Sequence, residues 1–246
     1  MSKKDWFIDW FDTPYYHILY QNRNELEAKN FVLNLMDRLK LVPDSKILDL
    51  ACGKGRHSKT LNELGYNVLG VDLSENSITQ AKEWSSDSLS FQVHDMREAI
   101  EDRQFDAIFN LFTSFGYFDT HKENQRMCSS IADMLRPNGK LVIDFMNAHK
   151  VIESLVEEEE KEINGITFNI KRVYDDMHIH KHIKFKDKGK VFHYTERVQG
   201  LKFDDFQSLL SPFFIIENVY GSLDLQPFVL EKSDRLIIIA TRKNGL

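Results

Sequence analysis

Three apolar runs in the first hundred residues each end in a carboxylate. Asp49 lies in "ILDLACGKGRHS" (47–58), Asp72 in "NVLGVDL" (67–73) and Asp95 in "LSFQVHD" (89–95). Gly53 and Gly55 follow the first carboxylate, so the backbone there can approach a ligand closely. A helix starting just after such a turn offers its N–H groups to negative charge. A triphosphate cradle would need GxxxxGK followed by Ser or Thr, which is absent. A dinucleotide cradle would need GxGxxG, but Ser58 stands at the third glycine position. Asp49 would also repel a pyrophosphate. A ligand bearing an ammonium or sulfonium group gains from Asp49, and its carboxylate can use the loop amides. Asp72 suits a carboxylate accepting both ribose hydroxyls, a feature that dinucleotide sites share. Asp95 can accept from an exocyclic adenine amine while the Met96 N–H bonds a ring nitrogen, and Leu73 and Met96 offer apolar walls. The ligand so described has an amino-acid end, a ribose and an adenine, as S-adenosylmethionine (SAM) does.

The elements that must position these groups follow from periodicity. Residues 24–42 read as an amphipathic helix through Leu26, Phe31, Leu35 and Leu39. "KILDLA" (46–51) reads as a buried strand, "RHSKTLNELG" as a helix closed by Gly65, and 67–73 as a second strand. Ser74 is the expected cap of the next helix. Strands follow at 89–95, 105–112 and 141–147, the last after a helix stopped by Pro137 and an Asn138–Gly139 turn. Five strand–helix alternations predict an α/β fold, a doubly wound parallel sheet with ligands beyond the strands' carboxyl ends. Beyond residue 150 the period becomes two. Residues 157–200 predict two or three antiparallel strands, separated at Asn164–Gly165, Asp175–Asp176 and Lys188–Gly189. A short helix (203–212) and a final hairpin complete the chain. The expected organisation is a helical lid over 1–43, a SAM-binding domain over 44–156 and 201–246, and an antiparallel β insert over 157–200.

Composition sets bounds. The 246 residues are 42% hydrophobic with 18 Phe, enough for a sizeable core and an aromatic-lined pocket. A net charge of −6 gives no general attraction to nucleic acid or an anionic membrane. Cys52 and Cys128 are too few for a disulfide scaffold, and Cys52 reads as a small packing residue in the turn. No run resembles a secretory leader or a membrane span, so a cytoplasmic location is expected.

The ordered motifs resemble those of class I SAM-dependent methyltransferases. "LDLACGKG" matches that family's first motif, with Ala51 where a glycine is usual. "VLGVDLS" matches the ribose motif, "HDM" the adenine motif, "FDAIFNLFTSFGYF" the fourth-strand motif and "LRPNGKLVIDF" the fifth. The resemblance covers about 45–147 plus the terminal hairpin. It implies a seven-stranded sheet of order 3-2-1-4-5-7-6 with strand seven antiparallel. It also implies cofactor contacts from Asp49, Ala51, Cys52, Gly53, Gly55, Asp72, Leu73, Asp95, Met96, Asn110 and Phe112. A looser likeness links the insert after strand five to aminosugar N-methyltransferases and other small-molecule enzymes. The loop after strand four lacks the Asn/Asp-Pro-Pro-Tyr/Phe sequence used by many amino-group methyltransferases acting on macromolecules.

By the same resemblance the N-terminal aromatics could lid the cofactor, with Tyr16 and Arg23 on it and Arg23 paired to its carboxylate. A plain aromatic helix packed on the sheet edge is the competing reading. Tyr15, Tyr20, Ser114, Phe115 and Tyr117 are the candidate acceptor contacts. Transfer is an in-line attack on a sulfonium methyl, driven by positioning and desolvation. A general base matters only for a protonated nucleophile, and His17, His57 and Tyr117 are the candidates. In "HIHKH" (178–182) the histidines alternate with Ile179 and Ile183 and share a face with Lys184 and Lys186. No metal is expected there, because three ligands in one strand need a bend and lysines oppose a cation. The expected activity is methyl transfer to a small-molecule N or O acceptor, with a homodimer through the insert. The competing readings are a non-catalytic SAM-binding regulator, an RNA or protein methyltransferase, and an NAD(P)-dependent oxidoreductase.

Overall fold

The computed structural model describes residues 10–20 and 25–245. The apolar runs become strands, those at 47–50, 68–71 and 107–110 covered on both faces and that at 89–93, on the sheet edge, on one. β1 (Lys46–Leu50), β2 (Asn67–Asp72), β3 (Leu89–Val93), β4 (Phe105–Asn110) and β5 (Leu135–Met146) lie parallel in the order β3-β2-β1-β4-β5. Helices join them: α3 (Arg56–Glu63) after β1, α4 (Glu75–Ala81) after β2, and α5 (His121–Met134) after β4. Ahead of them stand α1 (Pro14–Leu19) and α2 (Glu25–Leu39), and α6 (Ala148–Glu153) follows β5. A separate meander of β6 (Glu158–Ile163), β7 (Ile166–Tyr174), β8 (His178–Asp187) and β9 (Lys190–Gln199) comes next. After α7 (Phe203–Leu210), the chain returns to the main sheet as β10 (Phe214–Tyr220) and β11 (Arg235–Arg242). β11 enters between β5 and β10, antiparallel to both. The sheet order is therefore β3-β2-β1-β4-β5-β11-β10, as expected.

The insert has four strands, where the alternation alone suggested two or three. All three expected turns are present, and Asn164, Asp176 and Lys188 take positive φ there. Three turns require four strands, and the acidic run "EEEE" conceals the first of them. Leu26 also departs from expectation: it is 63% exposed, and α2 buries Ala28, Phe31, Val32, Leu35 and Met36 instead.

Alternation along the strands splits the core in two. Leu48, Leu50, Ile108, Ile143 and Ile238 face α5 and α7. Ile47, Phe109, Val142, Ile237 and Ile239 face α2 and α3. Ser74 caps α4, its hydroxyl accepting from the Ser77 amide, and Thr120 and Glu123 close a capping box on α5. A third apolar cluster joins Trp10 and Leu19 to Phe168, Ile170, Ile183 and Phe185 on one face of the insert. Among the described residues no helix is long and apolar enough to cross a membrane.

Candidate functional site

A cavity of about 410 Å³ opens beyond the carboxyl ends of β1, β2 and β4, where a doubly wound sheet places its ligands. The β1–α3 turn forms its floor. Ala51, Cys52, Gly53 and Lys54 line it. Ala51 itself takes φ +64°, a left-handed conformation that a glycine would adopt at lower cost. Gly55 caps α3 at φ +81° and is not on the cavity wall. A Cβ there would come within 2.6 Å of the Phe91 ring, so its role is to let the turn sit against β3.

Asp49 does not meet the cavity. It is 1% exposed, and the Ser58 hydroxyl donates to its carboxylate at 2.6 Å. Burial pushes its pKa up to about 6, against the Ser58 hydrogen bonds. The expected direct contact with a ligand ammonium is thus replaced by a carboxylate sealed under the turn. A carboxyl raised on folding binds more protons in the native state. Stability therefore falls as pH rises from roughly 4 to 6 and stays lower above that. Asp49→Asn is expected to raise the melting temperature at pH 7, by a gain of up to roughly 3 kcal/mol. It should also flatten the melting profile between pH 4 and 6. An unchanged profile would place the titration elsewhere.

Asp72 lies on the wall at the tip of β2. Its carboxylate accepts from the Gly53 amide at 2.8 Å and the Ser74 amide at 2.9 Å, tying β2 to the turn. Burial raises its pKa, offset in part by these amides. Leu73, Asp95 and Met96 line the adjoining wall. Arg97 grips Asp95 with Nε 3.0 Å from both carboxylate oxygens and an Nη at 2.6 Å. Burial pushes the Asp95 carboxyl up, but Arg97 outweighs it and holds the pKa below the usual range. Arg97 also reaches Glu123 at 3.2 Å and stacks over Phe118. Nothing beyond its nearness to Asp95 marked Arg97 in the sequence.

The loop after β4 carries unusual backbone. Phe112 and Thr113 both take positive φ, +68° and +62°, which non-glycine residues adopt at a cost. Asp144, fully buried on β5, holds them: its carboxylate accepts from the Phe112 amide at 2.9 Å, and its carbonyl from the Thr113 amide at 2.9 Å. Arg235 of β11 donates to the same carboxylate at 2.8 Å and to the Thr113 hydroxyl at 3.1 Å. Phe112, thus fixed, lines the cavity under the Arg56 guanidinium, 4.6 Å above its ring. Asn110, expected beside the cofactor, is buried and off the wall, its amide donating to the Leu50 carbonyl at 3.0 Å. Ser114 and Tyr117 do line the cavity. Phe115 does not: it is fully buried against Phe206.

The remaining wall is the N-terminal segment. Phe11, Tyr16, His17 and Tyr20 face the cavity, as does His57 on α3. Tyr15 points away, its hydroxyl donating to Asp187 at 2.8 Å and its ring against Phe185 and Phe192. Arg23 lies outside the described residues. The segment is an aromatic layer packed on a sheet, and it also walls the cavity; the sheet is that of the insert, not the edge of the main sheet. Trp10 Nε1–H donates to Glu196 at 2.7 Å, and the Tyr20 hydroxyl lies 2.7 Å from both Glu196 oxygens. Lys181 donates to the Tyr20 hydroxyl and sits 3.6 Å from Glu196. Asp12 meets the Ser74 hydroxyl at the tip of β2. Glu196→Ala should leave these donors without their acceptor. It is expected to raise protease cleavage within residues 10–20 and to weaken cofactor binding about tenfold, the worth of one charged hydrogen bond. Unchanged cleavage would show the segment held by apolar packing alone.

Residues 47–139 match a family model described as a methyltransferase domain. The chain thus carries a methyltransferase domain over residues 47–139, within a Rossmann-like fold. It is 40% identical over 111 residues to YqeM of Bacillus subtilis (strain 168), covering 44% of this chain and 45% of that one. It is 34% identical over 100 residues to the dTDP-3-amino-3,4,6-trideoxy-alpha-D-glucopyranose N,N-dimethyltransferase of Streptomyces venezuelae, covering 41% and 42%. The chain thus spans less than half the length of these curated relatives. Similarity of fold extends further. A SAM-dependent methyltransferase from Clostridium acetobutylicum ATCC 824 superposes with a TM-score of 0.80 at 18% identity, covering 94% of this chain and 96% of that one.

Proposed function

We propose that this protein transfers a methyl group from SAM to an amino or hydroxyl group of a small molecule. The observation that carries the reading is one continuous cavity joining Asp72, Leu73 and Met96 to an aromatic wall of Tyr16, Tyr20 and Tyr117. In this reading Asp72 accepts from the ribose, the Met96 and Asp95 segment meets the adenine, and the turn at Gly53 takes the methionine carboxylate. Ser114, Tyr117, His17 and Tyr20 stand on the acceptor side. The aromatic wall excludes water from the sulfonium, which suits a displacement that needs alignment more than proton transfer. An amine already neutral when it binds needs no base, and for a protonated or hydroxyl acceptor His17 is the candidate to take the proton. Similarity to an aminosugar dimethyltransferase supports a polar small molecule bearing an amino group.

Two further parts belong to this reading. The buried free thiols Cys52 and Cys128 suit the reducing cytoplasm, where we place the reaction. On the insert's exposed face, Glu158 and Glu160 stand in rows with Lys171, His182 and Lys184, a charge pattern complementary to its own two-fold copy. We place a homodimer contact there, which sedimentation at low and high salt would test. Calorimetric titration with S-adenosylhomocysteine and, separately, NAD⁺ tests the main reading. Binding of the first alone supports it, after which labelled methyl transfer to a panel of amino sugars identifies the acceptor. Binding of NAD⁺ alone, or of neither, overturns it.

A further inference from the structure

The turn between β7 and β8 gathers Asp175, His178 and His180, whose ligand atoms all lie within 4.8 Å of one another. Asp175 Oδ2 is 2.7 Å from His180 Nε2, and Asp175 Oδ1 is 3.9 Å from His178 Nδ1. Around a tetrahedral zinc, donors about 2.0–2.1 Å from the metal stand roughly 3.3 Å apart. One observed separation is about 0.6 Å short of that and the other about 0.6 Å long, so small side-chain rotations would bring both to it. We propose that Asp175, His178 and His180 form a site for a divalent transition metal of the zinc type.

The sequence reading sought three ligands along one strand and rejected them. The fold instead supplies two histidines from one face of β8 and the third ligand from the turn. The lysines that argued against a cation lie at the far end of that strand. Lys184 is four residues beyond His180, about 13 Å along an extended chain. The near end is acidic: Asp176 and Asp205 bear on the neighbouring Tyr174 together with Asp175. Arg197, directly opposite His180, is engaged by Asp119.

His178 gives a second, independent indication. The residue is 7% exposed, and its Nε2 is buried with no hydrogen-bond partner. The Phe118 backbone acts on the ring without making a hydrogen bond to Nε2. A ligating histidine commonly turns its other ring N–H to a backbone carbonyl, which fixes the tautomer and frees the first nitrogen for the metal. Metal on Nδ1 would place the proton on Nε2 and so fix the tautomer of the buried ring. Phe118 lines the large cavity. A metal here would therefore brace the insert against the wall of the acceptor side.

The test uses the full chain, stripped with chelator and titrated with Zn²⁺ by calorimetry and with Co²⁺ by visible absorption. One Zn²⁺ per chain and tetrahedral Co²⁺ bands are expected. His180→Gln and Asp175→Asn should each lose roughly tenfold or more in affinity, the scale on which even outer partners of a metal act. His182→Gln, which alters the exposed neighbour stacked on His180, should bind as the parent does. Melting curves of the variants without metal separate loss of the site from loss of fold. No saturable binding, or equal losses in His182→Gln and His180→Gln, would overturn the proposal.

Discussion

Asp72→Ala is expected to weaken S-adenosylhomocysteine binding by roughly 100-fold, the worth of one or two hydrogen bonds to a charged acceptor. Asp72 is the carboxylate that the fold brings to the cavity wall at the tip of β2. The Gly53 and Ser74 amides already orient it, so it can receive ribose hydroxyls with little reorganisation. Alanine removes the acceptor and also releases the turn. Asp72→Asn keeps one carbonyl oxygen and should lose only about tenfold. A 2′-deoxy analogue separates the two effects. The parent protein should discriminate against it, and Asp72→Ala should not. Equal discrimination in both would place the ribose elsewhere.

The second large effect is expected at Asp144. Removing one member of a buried, hydrogen-bonded ion pair leaves the other charge uncompensated, at a cost of about 3–5 kcal/mol. Arg235 is that partner, four-fifths covered. Asp144→Ala should therefore lower the melting temperature sharply. The double variant Asp144→Leu/Arg235→Met replaces both charges with apolar side chains of similar size and should recover much of the loss. It should not recover activity, because the Phe112 amide still lacks its side-chain acceptor and the left-handed pair at Phe112 and Thr113 loses its clamp. Methyl transfer well below the parent level at restored stability is the expected signature. Full activity in the double variant would show that the loop holds its shape unaided.

Much of the architecture was legible because it is written locally. β1 and β2 are apolar runs carrying an Asp at or near the end, Ser74 and Gly65 bound helices by short-range chemistry, and the Ile-rich β11 is buried on both faces. The insert's turns were equally plain. Side-chain direction was not. Asp49 and Asp72 look alike as sequence, yet Asp49 lies within its strand on the face covered by α3 and is sealed by Ser58, while Asp72 ends its strand at the opening.

The order of the sheet was reached through the resemblance of the motifs; by itself, the sequence determined the succession of strands and helices and the glycine turn that forms the cavity floor. Those rest on burial patterns and backbone preferences only a few residues long. The tertiary structure alone decided that Asp72 and Asp95 reach the cavity wall while Asp49 does not. It also set Asp144 beneath Phe112 and laid the N-terminal aromatics across the insert, 186 residues away in the bond from Trp10 to Glu196. Contacts at such separation leave no local periodicity, because they are set by how the sheet and the insert pack and not by neighbours in the sequence.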